Sequence, residues 1–300
     1  MTNTSSREVP PLAVVGVRGG WSSELLALRA AEACGGEPLI IEMDRVSLDL
    51  ATGRAMYEGL DLSRCRGLLL KKLGAAYSPG LLDRLELLRL LEGRGVRIFS
   101  RPRAVMGLID RLACTATLAL GGIPMPPTTV TEDIEAALEA VAGYGAAVLK
   151  PLFSTKARGM ALVRPGNGLR DTLTEYKRAY GLFYIQQAVE LGQQDLGVVF
   201  LGGRYLTTYA RRRGEGSWNT TTASGGRYVP FDPAPEVIEL ARRAQELFGL
   251  DFTCVDVALT PTGPVVFEVS AFGGFRGIQE ARGLDAAALY ADYAMRRLEE

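Results

Sequence analysis

Residues 252–270 read FTCVDVALTPTGPVVFEVS, two β-branched runs joined by a turn at Pro261 to Gly263. The pattern predicts a β-hairpin with one acid on each arm, Asp256 and Glu268. Strand side chains alternate, so Glu268 and Ser270 share a face. Facing strands can bring the two carboxylates within the few ångströms at which they either hold a shared divalent cation or repel each other. Taken alone, an acid on each arm of a hairpin is more often a solvated strand face.

Upstream of this hairpin, LGVVFLGGRYLTTYARR (196–212) turns back at Gly202-Gly203, the polar stretch GEGSWNTTTASGGRYV (214–229) follows, and a helix is expected over Pro235 to Phe248. A closing helix is expected from about Asp285 to Leu298. Further back, a helix near Met106 to Leu120 is stopped by the prolines of GGIPMPPTTV. A short helix over Ile134 to Ala142, the strand AAVLKPLF, the loop STKARG, the strand MALVRP, a helix around Thr172 to Tyr180 and the strand FYIQQAV come next. The first hundred residues alternate PLAVVGV, a helix after Trp21, PLIIEMD, GLLLKKL, a helix from about Ser78 to Leu91, and VRIFS. That alternation indicates a parallel sheet of the βαβ kind. GVRGG after the first strand lacks the full dinucleotide fingerprint and reads as a tight βα turn. The chain is therefore a mixed α/β (α+β) protein.

Composition removes several chemistries. The 300 residues include no histidine, which excludes Ser-His-Asp and Cys-His nucleophile pairs, an imidazole base and any His-containing zinc or haem site. Thirty-four basic residues balance 34 acidic ones, which argues against a nucleic-acid surface or a polybasic membrane surface. Cys34, Cys65, Cys114 and Cys254 are far apart with no CxxC pair, so a reduced, cytoplasmic chain is expected, with each thiol a small buried hydrophobe. The amino terminus shows no basic leader or cleavage signature and reads as a floppy start to the first strand, and no apolar run is long enough to span a bilayer. Only five basic residues are lysine (Lys71, Lys72, Lys150, Lys156 and Lys177). In an arginine-rich chain, a lysine on a strand or in a glycine-bearing loop is a candidate for a specific task. Lys150 ends the run AAVLK before a loop bearing Ser154, Thr155, Lys156, Arg158 and Gly159, which suits a polyphosphate, although a solvated surface hairpin has the same composition.

In order, KPLFSTKARGM, YIQQAVE, Asp195, TYARR, WNTTTASGG, VDVAL and FEVSAFGGFRGIQEARGLD resemble the ATP-grasp superfamily and, within it, the RimK-like carboxylate–amine (alpha-L-glutamate) ligases. The resemblance covers about residues 100 to 300. It implies an α/β domain over 1–100 of the kind that precedes an ATP-grasp domain, a central lobe with a phosphate-binding lid over 101–185, and a C-terminal lobe with the metal and substrate site over 186–300. It also implies ATP- and Mg2+-dependent ligation, with Mn2+ as a substitute: a carboxylate becomes an acyl phosphate, which an amino acid amine, such as that of glutamate, attacks. By the same resemblance Lys150 and the lid residue Lys156 touch ATP phosphates, Gln187 and Ala188 form the adenine hinge, and Asp195 lies near the ribose. Arg211 steadies the transferred phosphoryl group, Asn219, Thr220 and Thr221 line the nucleotide site, and Asp256 and Glu268 hold the metal. Phe275, Arg276 and Gly277 form a loop facing the substrate. Read from the residues alone, the Arg211 to Arg213 run, Arg212 included, suits an acidic substrate, although a solvated surface is the bland account of any arginine run.

The chain departs from the family pattern at several of these positions. Ser270 replaces an asparagine metal ligand, Thr221 another asparagine, Asn219 a basic residue, Gly197 an arginine, Arg111 a nucleotide-contacting lysine, and Gln187 an acid. A hydroxyl is a shorter and poorer ligand than an amide. Two alternatives use the same residues: a non-catalytic nucleotide-binding regulatory module, and a kinase or other phosphotransferase. The expected partners are a small-molecule, peptide or protein carboxylate and an amino acid, with no nucleic acid and no membrane. Ligases of this type often assemble as dimers or tetramers, so the resemblance allows a homo-oligomer.

Overall fold

The computed structural model describes residues 9–300. The expected floppy start, residues 1–8, lies outside the described residues. In chain order the first hundred residues form β1 (Leu12–Val15), α1 (Trp21–Cys34), β2 (Ile40–Ile41), β3 (Ser47–Asp49), β4 (Arg54–Tyr57), β5 (Leu60–Asp61), β6 (Gly67–Leu70), α2 (Gly80–Glu92) and β7 (Arg97–Phe99). Strands β2-β1-β6-β7 make the expected parallel sheet. Strands β3-β4-β5 make a small antiparallel sheet that the sequence reading does not contain. Its strands are two to four residues long, too short for an alternation to register.

The middle of the chain forms α3 (Pro102–Ile109), α4 (Arg111–Leu120), β8 (Thr128–Thr131), α5 (Ile134–Tyr144), β9 (Ala147–Leu149), β10 (Ala161–Val163), α6 (Leu169–Tyr180) and β11 (Phe183–Gln187). The single helix expected near 106–120 is two. Asp110 leaves the helical region (φ −95°, ψ 123°) and its carboxylate accepts the Leu112 N–H at 2.7 Å, capping α4. The break makes Arg111 the first residue of a new helix. The strand expected over AAVLKPLF pairs only at 147–149, extended by a Lys150 N–H bond to the Tyr184 carbonyl. Pro151, with no N–H, ends it.

The remainder forms β12 (Gln194–Leu201), β13 (Arg204–Arg212), β14 (Arg227–Pro230), α7 (Pro235–Glu246), β15 (Phe252–Thr260), β16 (Gly263–Ser270), α8 (Phe275–Arg282) and α9 (Ala286–Glu299). One antiparallel sheet, ordered β14-β13-β12-β15-β16, carries both hairpins read from the sequence. The expected loop over 275–277 is instead the start of α8, a correction to the sequence reading.

Burial joins these parts. Leu68, Leu85, Val105 and Ile109 share an apolar cluster with Val198, Val255 and Val266 of the five-stranded sheet. The other face of the parallel sheet, with Val14 and Leu69, packs on α1, α8 and α9 through Leu26, Ile278 and Tyr290. Sheet β10-β9-β11-β8 and helices α5 and α6 have their own cluster, around Val141, Leu149, Leu173 and Phe183. No helix among the described residues is long and apolar enough to cross a membrane.

Candidate active site

Strand register places Asp256 directly opposite Glu268, so the two hairpin acids face each other. The ladder then slips. Asp256 pairs with Glu268 but Val257 with Val266, leaving Phe267 as an extra residue. Such a bulge kinks a strand and re-aims side chains, and here Phe267 and Glu268, adjacent in sequence, both line the same cavities. Strict alternation would separate them.

Each acid has a guanidinium. Arg111 donates to Glu268 at 2.7 Å and to the Pro151 carbonyl at 3.2 Å. Arg211 lies 3.0 Å from Asp256 and also grips Asp195, its direct partner across β12 and β13. Burial opposes the charge on both arginines, but Glu268 outweighs it at Arg111, and Asp195 with Asp256 outweighs it at Arg211, so both pKa values rise. Burial and repulsion from Glu268 push the Asp256 carboxyl up against the pull of Arg211. Burial acts the same way on Glu268, but Arg111 wins and lowers it.

Lys150 is buried, and its ammonium donates to Gln186 Oε1 at 2.5 Å and lies 5.0 Å from the centre of the Phe267 ring. Burial, reinforced by Arg111, pushes its pKa down to about 7, although Glu268 and Asp256 favour the charged form. Gln186 and Phe267 are site residues that the sequence reading missed. Gln186 was hidden beside the hinge position Gln187, and Phe267 by the bulge.

Two cavities meet at this wall. The larger, about 810 Å³, is lined by Lys150, Lys156, Gln187, Ala188, Asp195, Arg211, Asn219, Thr220 and Thr221, with apolar Val148, Met160 and Leu162. The smaller, about 300 Å³, is lined by Lys72, Arg158, Ser270 and Gly273 among others. Arg111, Lys156, Arg211, Asp256 and Glu268 border both. In the larger, Asn219 Oδ1 accepts from the Thr221 N–H and hydroxyl at 3.1 and 2.7 Å, which stiffens that loop. The N–H groups of Gln187 and Ala188 are already bonded to the carbonyls of Pro127 and Ala146. The backbone of the loop that follows Lys150 is left-handed at Lys156 and Ala157 (φ 57° and 56°).

Two expected substrate residues are elsewhere. Arg212 lines neither cavity. Alternation along β13 sends it to the other face, and Arg213, two residues on from Arg211, lines the larger cavity in its place. Arg276, in the first turn of α8, lies 5.4 Å from the centre of the Trp21 ring and 3.9 Å from Glu280, and it too is absent from both walls. Ser270 borders only the smaller cavity, and its hydroxyl accepts the Phe272 N–H at 3.3 Å.

Among the described residues no three His, Cys, Asp or Glu side chains cluster as a metal cage. A pair of opposed carboxylates suits a magnesium ion that completes its shell with water and nucleotide phosphates. The Ser154 hydroxyl, near both cavities, is buried with no hydrogen-bond partner and is a donor left over for such a group.

Comparison with solved structures identifies the fold as ATP-grasp. The ATP-grasp ligase PsnB, complexed with a phosphomimetic variant of minimal precursor, Mg and ADP, superposes with a TM-score of 0.75 at 19% identity, covering 96% of this chain and 99% of that one. D-cycloserine synthetase DcsG gives 0.73 at 17% identity over 96% and 99%. The RimK-like ATP-grasp domain matches residues 109–294, more than half of the chain, and the protein belongs to that family. Among curated relatives, tetrahydromethanopterin:alpha-L-glutamate ligase of Methanosarcina acetivorans is 27% identical over 77% of this chain and 80% of its own length. A probable alpha-L-glutamate ligase of Aliivibrio salmonicida is 25% identical over 89% of both.

Proposed function

We propose that this protein is an ATP- and magnesium-dependent carboxylate–amine ligase that joins an amino acid, glutamate being the first candidate, to the carboxylate of a small molecule or peptide. The observation that carries this reading is the convergence of Lys150, Arg111, Arg211, Asp256 and Glu268 where the two cavities meet. ATP occupies the larger cavity, its base against Val148, Met160 and Leu162 and its phosphates toward Lys150, Lys156 and Ser154. Since the Gln187 and Ala188 N–H groups are bonded elsewhere, hinge carbonyls and the following backbone meet the base. Asp256 and Glu268 hold Mg2+, which when bound neutralises phosphate charge.

A substrate carboxylate oxygen attacks the γ-phosphorus as the bond to the ADP oxygen breaks, giving an acyl phosphate and ADP. The amine nitrogen then attacks the acyl carbon, phosphate leaves, and the nitrogen's proton passes to phosphate or water. Phosphoryl transfer asks the protein chiefly for positioning and charge stabilisation. Arg211, fixed by Asp195, supplies a cation at the meeting wall, and Lys150 a second. The closed lid excludes water from the acyl phosphate. No step needs imidazole.

Incubation with MgATP and a panel of acids and amino acids tests the reading. ADP and phosphate release that requires both an acid and an amine, with an amide product, is the expected result. ATP binding with no turnover on any pair would make the protein a binding module, and a phosphorylated product stable without an amine would make it a kinase. Glu268→Gln is expected to abolish metal-dependent turnover, and full activity in that variant would remove the proposed site.

A further inference from the structure

We propose that the smaller cavity binds the carboxylate substrate through a second, non-reacting anionic group held by Lys72 and Arg158, so that the protein selects acids bearing at least two negative groups. This rests on the ligase reading above and adds a substrate class to it.

The reacting end of such a substrate must lie at the wall formed by Arg211, Asp256 and Glu268, which both cavities share. Lys156 also borders both and is accounted for by the nucleotide. Lys72 and Arg158 border the smaller cavity alone, and neither forms an ion pair or side-chain hydrogen bond with any described residue. By contrast, Asp256 and Glu268 are each matched by an arginine. Lys72 feels burial first, then repulsion from Lys156 and Arg158, and all three lower its pKa. Three cations thus crowd together without a compensating acid, an arrangement that an arriving anion relieves.

The fold places Lys72 where α/β sheets bind ligands. In the order β2-β1-β6-β7 the chain leaves β1 toward one edge and β6 toward the other. The crevice beyond the carboxyl ends of these two strands is the switch point of the sheet. Lys72 lies there, two residues past β6, its N–H bonded to the Val15 carbonyl at the end of β1 at 3.1 Å. Across the cavity, Gly273 and Gly274 lead into α8, whose first N–H groups have no side-chain cap. At about 300 Å³ the space is at the lower end of the small-molecule range of roughly 300–1,000 Å³, suited to a compact acid or a chain end.

The test compares glutarate with glutaramate, equal in length and one charge poorer, as acid substrates with MgATP and glutamate. Glutarate is expected to exceed glutaramate at least tenfold in kcat/KM, since a charged hydrogen-bonding group is worth about that factor or more. Lys72→Met and Arg158→Met should each raise the KM for glutarate about tenfold and leave glutaramate turnover and the KM for ATP within about twofold. Running 4-phosphonobutyrate alongside shows whether the preferred distal group is a carboxylate or a phosphate. Equal use of glutarate and glutaramate, or a rise in the ATP KM matching that for glutarate, would overturn the proposal. If no acid elicits ADP release, the ligase reading fails, and calorimetry of glutarate into the protein loaded with Mg2+ and AMP-PNP decides the subsite separately. Binding that weakens tenfold in Lys72→Met upholds it, and absent binding, or binding equal to that of glutaramate, removes it.

Discussion

Arg111 and Glu268, 157 positions apart in the chain, form a 2.7 Å ion pair that ties the first turn of α4 to the outer arm of the β15–β16 hairpin. Together with the Arg211–Asp256 pair, it makes the two arginines the counter-ions of the proposed metal ligands. Arg111→Met is expected to destabilise the metal-free protein by about 1–3 kcal/mol, because Glu268 loses its partner but still opens to the cavity. Millimolar Mg2+ should recover most of that loss and raise the melting temperature of the variant more than that of the parent. An equal response in both proteins would show that the guanidinium and the ion do not share Glu268.

Asp195 is buried and its carboxylate is committed to Arg211, so under the ligase reading its expected part is to aim that arginine. Asp195→Asn is expected to lower kcat about 10- to 100-fold while the KM for ATP stays within about threefold. A change confined to the ATP KM would instead put Asp195 on the ribose, as the family resemblance implies.

Lys71 is buried with its ammonium on the Gly273 carbonyl and 3.6 Å from the centre of the Phe275 ring, and burial, with repulsion from Lys72, pushes its pKa down from 10.5 to about 7. The native protein is therefore expected to release this proton near pH 7, and the unfolded chain to keep it until about 10.5. Between those values the unfolded state binds more protons, so stability rises with pH, by up to about 1.4 kcal/mol per pH unit for one proton. Urea unfolding from pH 6 to 10 should show this rise, and Lys71→Met should flatten its share. An unchanged slope would mean that Lys71 keeps its proton in the fold.

Gly197 lies directly across the sheet from Tyr209, and a Cβ there would come within 2.4 Å of the tyrosine ring. A Cβ on Gly277 of α8 would meet the same ring at 2.8 Å. With Tyr209 in this place, position 197 has no room for the arginine that the family resemblance implies there. Gly197→Ala is expected to cost about 1–3 kcal/mol, whereas Gly143→Ala, in α5 with open space around it, should stabilise by about 0.4–1 kcal/mol. Thermal denaturation of the two variants checks the opposite signs.

Both hairpins and the opposed acids were legible because alternation and turn residues are local signals. The parallel sheet was legible for the same reason. The glycine-rich opening of α8 reads as loop in sequence, since its helix is held by Phe275 and Ile278 packing against distant strands. Arg276 was misplaced with it. The displacement of Arg212 was recoverable, because accepting Arg211 as inward-facing obliges its neighbour to face away. The Asp110 break also had a local signal, an aspartate ahead of an apolar helical run, but a continuous apolar pattern obscured it. The bulge at Phe267 had none, since it exists only as a mismatch in length between two arms.

Lys150 gives the absence of histidine a further meaning. Burial pushes the pKa of its amine down to about 7, so under the ligase reading a polyanion entering the larger cavity would favour the protonated form and draw a proton from solvent. Nucleotide capture would then be a proton-coupled event, with the coupling carried by an amine in place of an imidazole.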